Sequence, residues 1–85
     1  MSWRLIVDRS VSKALKRVPR NVVIRIFSII EHLPEDPFAG DVEKMEGEEN
    51  VWRRRVGDYR IFYEVRVKEK MIHVTRVKRR TSKTY

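Results

Sequence analysis

The chain contains no cysteine, which excludes disulfides and thiolate metal sites. Its two histidines, His32 and His73, cannot by themselves build a usual zinc site. Glutamine is absent and asparagine occurs only at 21 and 50; with charged residues at 38%, this is a usage found in heat-stable proteins. No apolar run approaches the roughly 20 residues that a membrane span needs, and the first residues do not resemble a signal peptide. There is no repeat, no low-complexity segment and no linker. These absences predict one cytoplasmic domain over residues 1–85, with a small core, no metal, no small-molecule cofactor and no membrane partner.

What is abundant is positive charge, and it is unevenly placed. Residues 1–30 carry seven Lys/Arg against Asp8 alone. Residues 31–50 reverse this, with eight acids against Lys44. From residue 51 onward, twelve Lys/Arg face only Asp58, Glu64 and Glu69. The whole chain has a net charge of +8. A C-terminal half this basic is drawn to a polyanion. A membrane-binding segment would put such charge on an amphipathic helix. Here the densest charge falls on strand-like sequence, which favours nucleic acid.

Periodicity predicts the elements. Residues 3–7 read as a short strand with Trp3, Leu5 and Val7 on one face. Asp8 or Ser10 can cap a helix that buries Val11, Ala14, Leu15 and Val18. Pro19 ends it and opens a second helix, which buries Val23, Ile26, Phe27 and Ile30 and stops at Leu33-Pro34. The short link makes the two an antiparallel hairpin. Residues 34–41 are loop and 42–45 a candidate strand. Residues 51–56, 59–67 and 71–77 form an antiparallel meander, turning at Gly57-Asp58 and Lys68-Glu69-Lys70. The fold class is α+β: an N-terminal strand, a two-helix hairpin and a β-meander in one twisted sheet.

Within the meander, arginines alternate with apolar residues. Tyr59, Ile61, Tyr63, Val65 and Val67 point one way, and Arg60, Phe62, Glu64 and Arg66 the other. Arg53 and Arg55, two apart, share a face, whereas Arg54 points with Trp52. A solvated charge run has no need of that alternation. A sheet with an apolar back and a cationic front does.

The ordered set of short motifs resembles the RelE/ParE superfamily of toxin–antitoxin toxins along nearly the whole chain. It comprises Leu15-x-x-Val18-Pro19, Pro34 with Asp36-Pro37-Phe38, and Lys44-Met45-Glu46-Gly47. It continues through Trp52-Arg53-x-Arg55-Val56-Gly57-Asp58-Tyr59-Arg60-Ile61-x-Tyr63 to Arg76-Val77. Similar proteins of the RelE type cut mRNA in the ribosomal A site and are silenced by a small antitoxin. The resemblance therefore implies a metal-independent endoribonuclease in which a ribose 2′-OH attacks the adjacent phosphate. Its implied partners are the ribosome, mRNA and a cognate antitoxin with an acidic segment and an amphipathic helix.

The resemblance also distributes roles. Arg60 matches the arginine that holds the scissile phosphate, a task suited to a bidentate guanidinium. Arg53 and Arg55 match basic positions that are often lysine in the RelE type; a guanidinium there is a poor base but neutralises phosphate. Counting forward from Arg76-Val77 gives Arg80 as the C-terminal arginine, and counting back from Tyr85 gives Arg79. Tyr85 matches a terminal tyrosine that contacts a base, and Lys78 and Lys83 are further RNA contacts. Glu43 is a candidate base by likeness to the YoeB branch, whose C-terminal histidine is absent here. His73, mid-strand, reads as packing behind the site. The rival readings are a ParE-like topoisomerase poison, which need not keep the basic cluster, and a non-catalytic basic binding module.

Overall fold

A computed structural model describes residues 3–79. Its order is β1 (Arg4–Val7), α1 (Arg9–Leu15), α2 (Arg20–His32), β2 (Val42–Lys44), β3 (Val51–Val56), β4 (Tyr59–Arg66) and β5 (Met71–Arg79). The strands form one five-stranded sheet in the order β1-β5-β4-β3-β2. β2 through β5 pair antiparallel, and β1 lies parallel to β5. The meander and hairpin are thus as the periodicity predicts. The two helices carry the chain from β1 at one edge of the sheet to β2 at the other, and the antiparallel run β2 to β5 then returns to set β5 beside β1 in parallel.

The chain leaves β1 and reverses into α1 at Asp8. The Asp8 backbone N–H donates to the Val74 carbonyl at 2.8 Å, and its carboxylate accepts from the Ser10 N–H at 3.0 Å, capping the helix. That hydrogen bonding holds the Asp8 carboxyl below its usual value. α1 buries Val11 and Leu15; α2 buries Ile26 and Ile30, with Leu33 just beyond its end. They close on Val56, Ile61, Tyr63, Val65, Ile72, Val74 and Val77 of the sheet, so both helices cover the same face. Phe27, read as core, is 44% exposed instead. It lies about 100° round α2 from Ile26, at the margin of the buried stripe. Val67, read as continuing the inward side of β4, is exposed, because the strand ends at Arg66 and Val67 begins the turn.

The loop before β2 is strapped to the sheet. The Tyr63 hydroxyl donates to the Pro37 carbonyl, and the Arg54 guanidinium donates to the Ala39 carbonyl at 2.8 Å. Phe38 meets Trp52 edge-on with centroids 4.8 Å apart. Burial pushes the Tyr63 hydroxyl up to about 12.

β5 carries an irregularity that decides which way its side chains face. From Met71 to Val74 it pairs with β4 in one register; from Arg76 to Arg79 it is shifted by one residue. Thr75 is therefore an extra residue, a β-bulge, and its hydroxyl donates to the Phe62 carbonyl at 3.3 Å. Simple alternation from Ile72 and Val74 would send Arg76 into the core. The bulge reverses this: Val77 is buried, while Arg76 and Lys78 turn to the open face.

Candidate nucleic-acid interface

Cross-strand partners in a sheet point the same way, so the pairing assembles the front from its residues. One row runs Glu43, Arg53, Phe62, Arg76 across β2, β3, β4 and β5. The next runs Arg55, Arg60, Lys78 across β3, β4 and β5. Both lie on the face away from the helices. The alternation that placed Arg53, Arg55 and Arg60 on one face is thus what the ladder displays.

The two rows differ in how their charge is satisfied. Arg53 pairs with Glu43, whose carboxylate is well exposed on β2. Arg55, Arg60 and Lys78 are three like charges opposite one another, and no acidic side chain pairs with any of them among the described residues. Like charges directly opposite destabilise a sheet. A row that costs stability and has no partner among the described residues is open to an anion from outside. In front of it lies a cleft of about 250 Å³ lined by Asp41, Val42, Glu43, Arg53, Arg55 and Arg60.

Other predicted positions fall elsewhere. Arg79 pairs with Tyr59 and shares its side, toward the helices. There it lines a separate groove of about 520 Å³ with Lys13, Ala14, Arg17, Val18, Tyr59 and Val77. The structure therefore does not bring Arg79 to the Arg60 row. Arg80, Lys83 and Tyr85 lie outside the described residues. His73 does not pack behind the site. It stands on the front opposite Glu64, one row past Phe62, with its ring nitrogens 4.0 Å from Glu64 and from Asp8. Arg76 is the residue that sequence reasoning missed. The signal was available: Val74 and Val77 are three apart where an unbroken strand would space its core residues by two.

Among the described residues, no cluster of His, Asp or Glu could hold a metal ion, and no helix is long and apolar enough to cross a membrane. Fold and front together define a class: a small α+β protein with one sheet face covered by helices and the other cationic.

Comparison with known proteins gives that class a family. The family model described as ParE toxin of type II toxin-antitoxin system, parDE, matches residues 3–83. The archaeal RelE–RelB complex from Pyrococcus horikoshii contains a chain 32% identical, with a TM-score of 0.85, over 98% of this chain and 100% of that one. The RelB–RelE complex from Methanococcus jannaschii has one also 32% identical, with a TM-score of 0.74, over 87% of this chain and 88% of that one. The isolated RelE toxin of E. coli, at 17% identity and a TM-score of 0.80, shares the fold over 96% of this chain and 88% of its own. The chain belongs to the RelE/ParE superfamily of toxins of type II toxin–antitoxin systems.

Proposed function

We propose that this toxin is a RelE-like, ribosome-dependent mRNA endonuclease. The observation that carries the reading is the row Arg55, Arg60, Lys78, three cations with no acidic partner among the described residues, two of which, Arg55 and Arg60, border a cleft on the open face. The 32% identity to the archaeal RelE chains supports it.

In this reading the scissile phosphate lies on Arg60, whose planar fork can grip two of its oxygens. Arg53 and Arg55 neutralise the charge that develops as the 2′-oxygen adds to phosphorus and the 5′-oxygen departs. The products are a 2′,3′-cyclic phosphate and a 5′-OH; the proton leaves the 2′-OH and one is returned to the 5′-oxygen. Glu43 is the candidate proton acceptor, and its engagement with Arg53 means that substrate must loosen that pair first. Since Arg79 faces α1, the C-terminal arginine role falls to Arg80. Lys78 and Lys83 hold flanking phosphates, and Tyr85 a base. No strong base stands ready beside Arg60, so the ribosome supplies the alignment of the 2′-OH. That places the toxin in the cytoplasm, with mRNA and the ribosome.

Its silencing partner is a cognate antitoxin, as in the two archaeal complexes. An amphipathic antitoxin helix fits the apolar side chains left open on α2, Ile24 and Phe27, and an acidic segment fits the cationic front. The family's own description favours a second reading, a ParE-like topoisomerase poison. Purified toxin assayed in parallel on programmed ribosomes and in a gyrase supercoiling reaction separates the two. Mapped cuts in ribosome-bound mRNA with gyrase unaffected support the first; gyrase inhibition with intact mRNA overturns it.

A further inference from the structure

The front row beyond Arg60 holds an unusual pair. Phe62 points away from the helices, yet it is only 5% exposed. The Arg76 guanidinium sits over its ring, 4.4 Å from the centroid. This arrangement exists only because the Thr75 bulge turns Arg76 outward to face Phe62 across the ladder. Arg76 has no acidic partner among the described residues; the neighbouring Glu64 accepts instead from Arg66 at 2.9 Å. Its outer side borders a cleft of about 410 Å³ lined in part by Phe62, Glu64, His73 and Thr75. That volume is ample for a planar base.

We propose that Arg76, seated on Phe62, is a stacking platform for the nucleobase beside the phosphate held by the Arg55, Arg60, Lys78 row. Guanidinium planes stack on bases as aromatic rings do, and a cation already anchored on an aromatic ring is pre-organised to receive one. Phe62 lies two residues along β4 from Arg60, about 6–7 Å, which is within one nucleotide's reach. A simple phosphate contact would not need the ring beneath. The proposal rests on the reading that the bound strand is RNA, but not on its being cut.

The test is binding to the full chain of two fully 2′-O-methylated trinucleotides, which cannot be cleaved. One carries a central 2-aminopurine and the other an abasic site. Wild-type protein is expected to bind the base-bearing strand about tenfold more tightly and to quench its fluorescence. Arg76→Lys keeps the charge and loses the plane. It is expected to abolish the quenching, to bring the two affinities together, and to leave the abasic affinity unchanged. Arg76 is exposed, so the fold should survive, and equal melting midpoints verify this. Equal wild-type affinity for both strands overturns the platform. So does an Arg76→Lys protein that keeps the preference, or one that weakens both strands equally. A toxin that leaves ribosomal mRNA intact while showing the Arg76-dependent preference loses the endonuclease reading and keeps the platform.

Discussion

If the Arg55, Arg60, Lys78 row is held against its own repulsion for the sake of a ligand, removing its middle member should make the protein more stable. Arg60 is half-buried between Arg55 on β3 and Lys78 on β5. Arg60→Gln keeps much of the side-chain stem and a polar end while removing both like-charge contacts. Each such cross-strand contact costs roughly 0.2–1 kcal/mol, so the gain should be about 1 kcal/mol. In a domain of 85 residues that corresponds to a rise in melting midpoint of about 4–8 °C. The gain should shrink as salt is raised, since at 1 M the screening length is only about 3 Å. Thermal unfolding followed by circular dichroism, in low and high salt, measures both. The reasoning is refuted if Arg60→Gln lowers the midpoint, or if a gain appears that salt does not reduce. The first result would mean that Arg60 is a structural residue.

Further expectations follow from the strapped loop and the cationic front. Tyr63 stays protonated in the fold to about pH 12, whereas in the unfolded chain it ionises near 10. Its contribution is therefore complete below pH 10 and lost on the way to 12, an alkaline loss of about 2–3 kcal/mol. Denaturant titrations across that range should show the loss in the parent and lack that component in Tyr63→Phe. Gly40 has φ of +83°, and a Cβ there would run into the Arg54 guanidinium. Gly40→Ala should cost about 1–2 kcal/mol in a urea titration, and an unchanged midpoint would deny that the Arg54 strap matters. Arg60→Ala should lower single-turnover cleavage by about 2–4 kcal/mol in transition-state stabilisation. Arg53→Lys should be milder, because an ammonium at that position still neutralises phosphate; an equal loss in both variants would remove the distinction between gripping and neutralising.

The front was legible in β3 and β4 because alternation there is unbroken. Arg53, Arg55 and Arg60 interleave with Val56, Ile61 and Tyr63, and a period of two leaves one arrangement. β5 was harder. Its first half obeys the same period, but Thr75 inserts a residue, and every side chain after it changes side. That is why Arg76 escaped notice. Facing after a bulge is decided by how β5 bonds to β4, a tertiary matter that the local pattern registers only as the Val74 to Val77 spacing. Phe27 shows the same limit on a helix: it lies about 100° round α2 from the buried Ile26, and its own hydrophobicity does not say on which side of the stripe the sheet packs. The parallel seat of β1 also depends on contacts some 67 residues apart in the chain, since Arg4 pairs with Met71.

The most direct test is a single-turnover reaction of purified toxin with mRNA on programmed ribosomes, run with the parent and with Arg60→Lys. We expect the parent to cut in the A site, leaving a 2′,3′-cyclic phosphate and a 5′-OH. We expect Arg60→Lys to bind ribosomes normally yet lose most of the cleavage, because an ammonium cannot form the guanidinium's two-pronged grip. An Arg60→Lys toxin cutting at the parental rate would contradict the role given to Arg60, and a parent that leaves ribosomal mRNA whole would contradict the endonuclease itself.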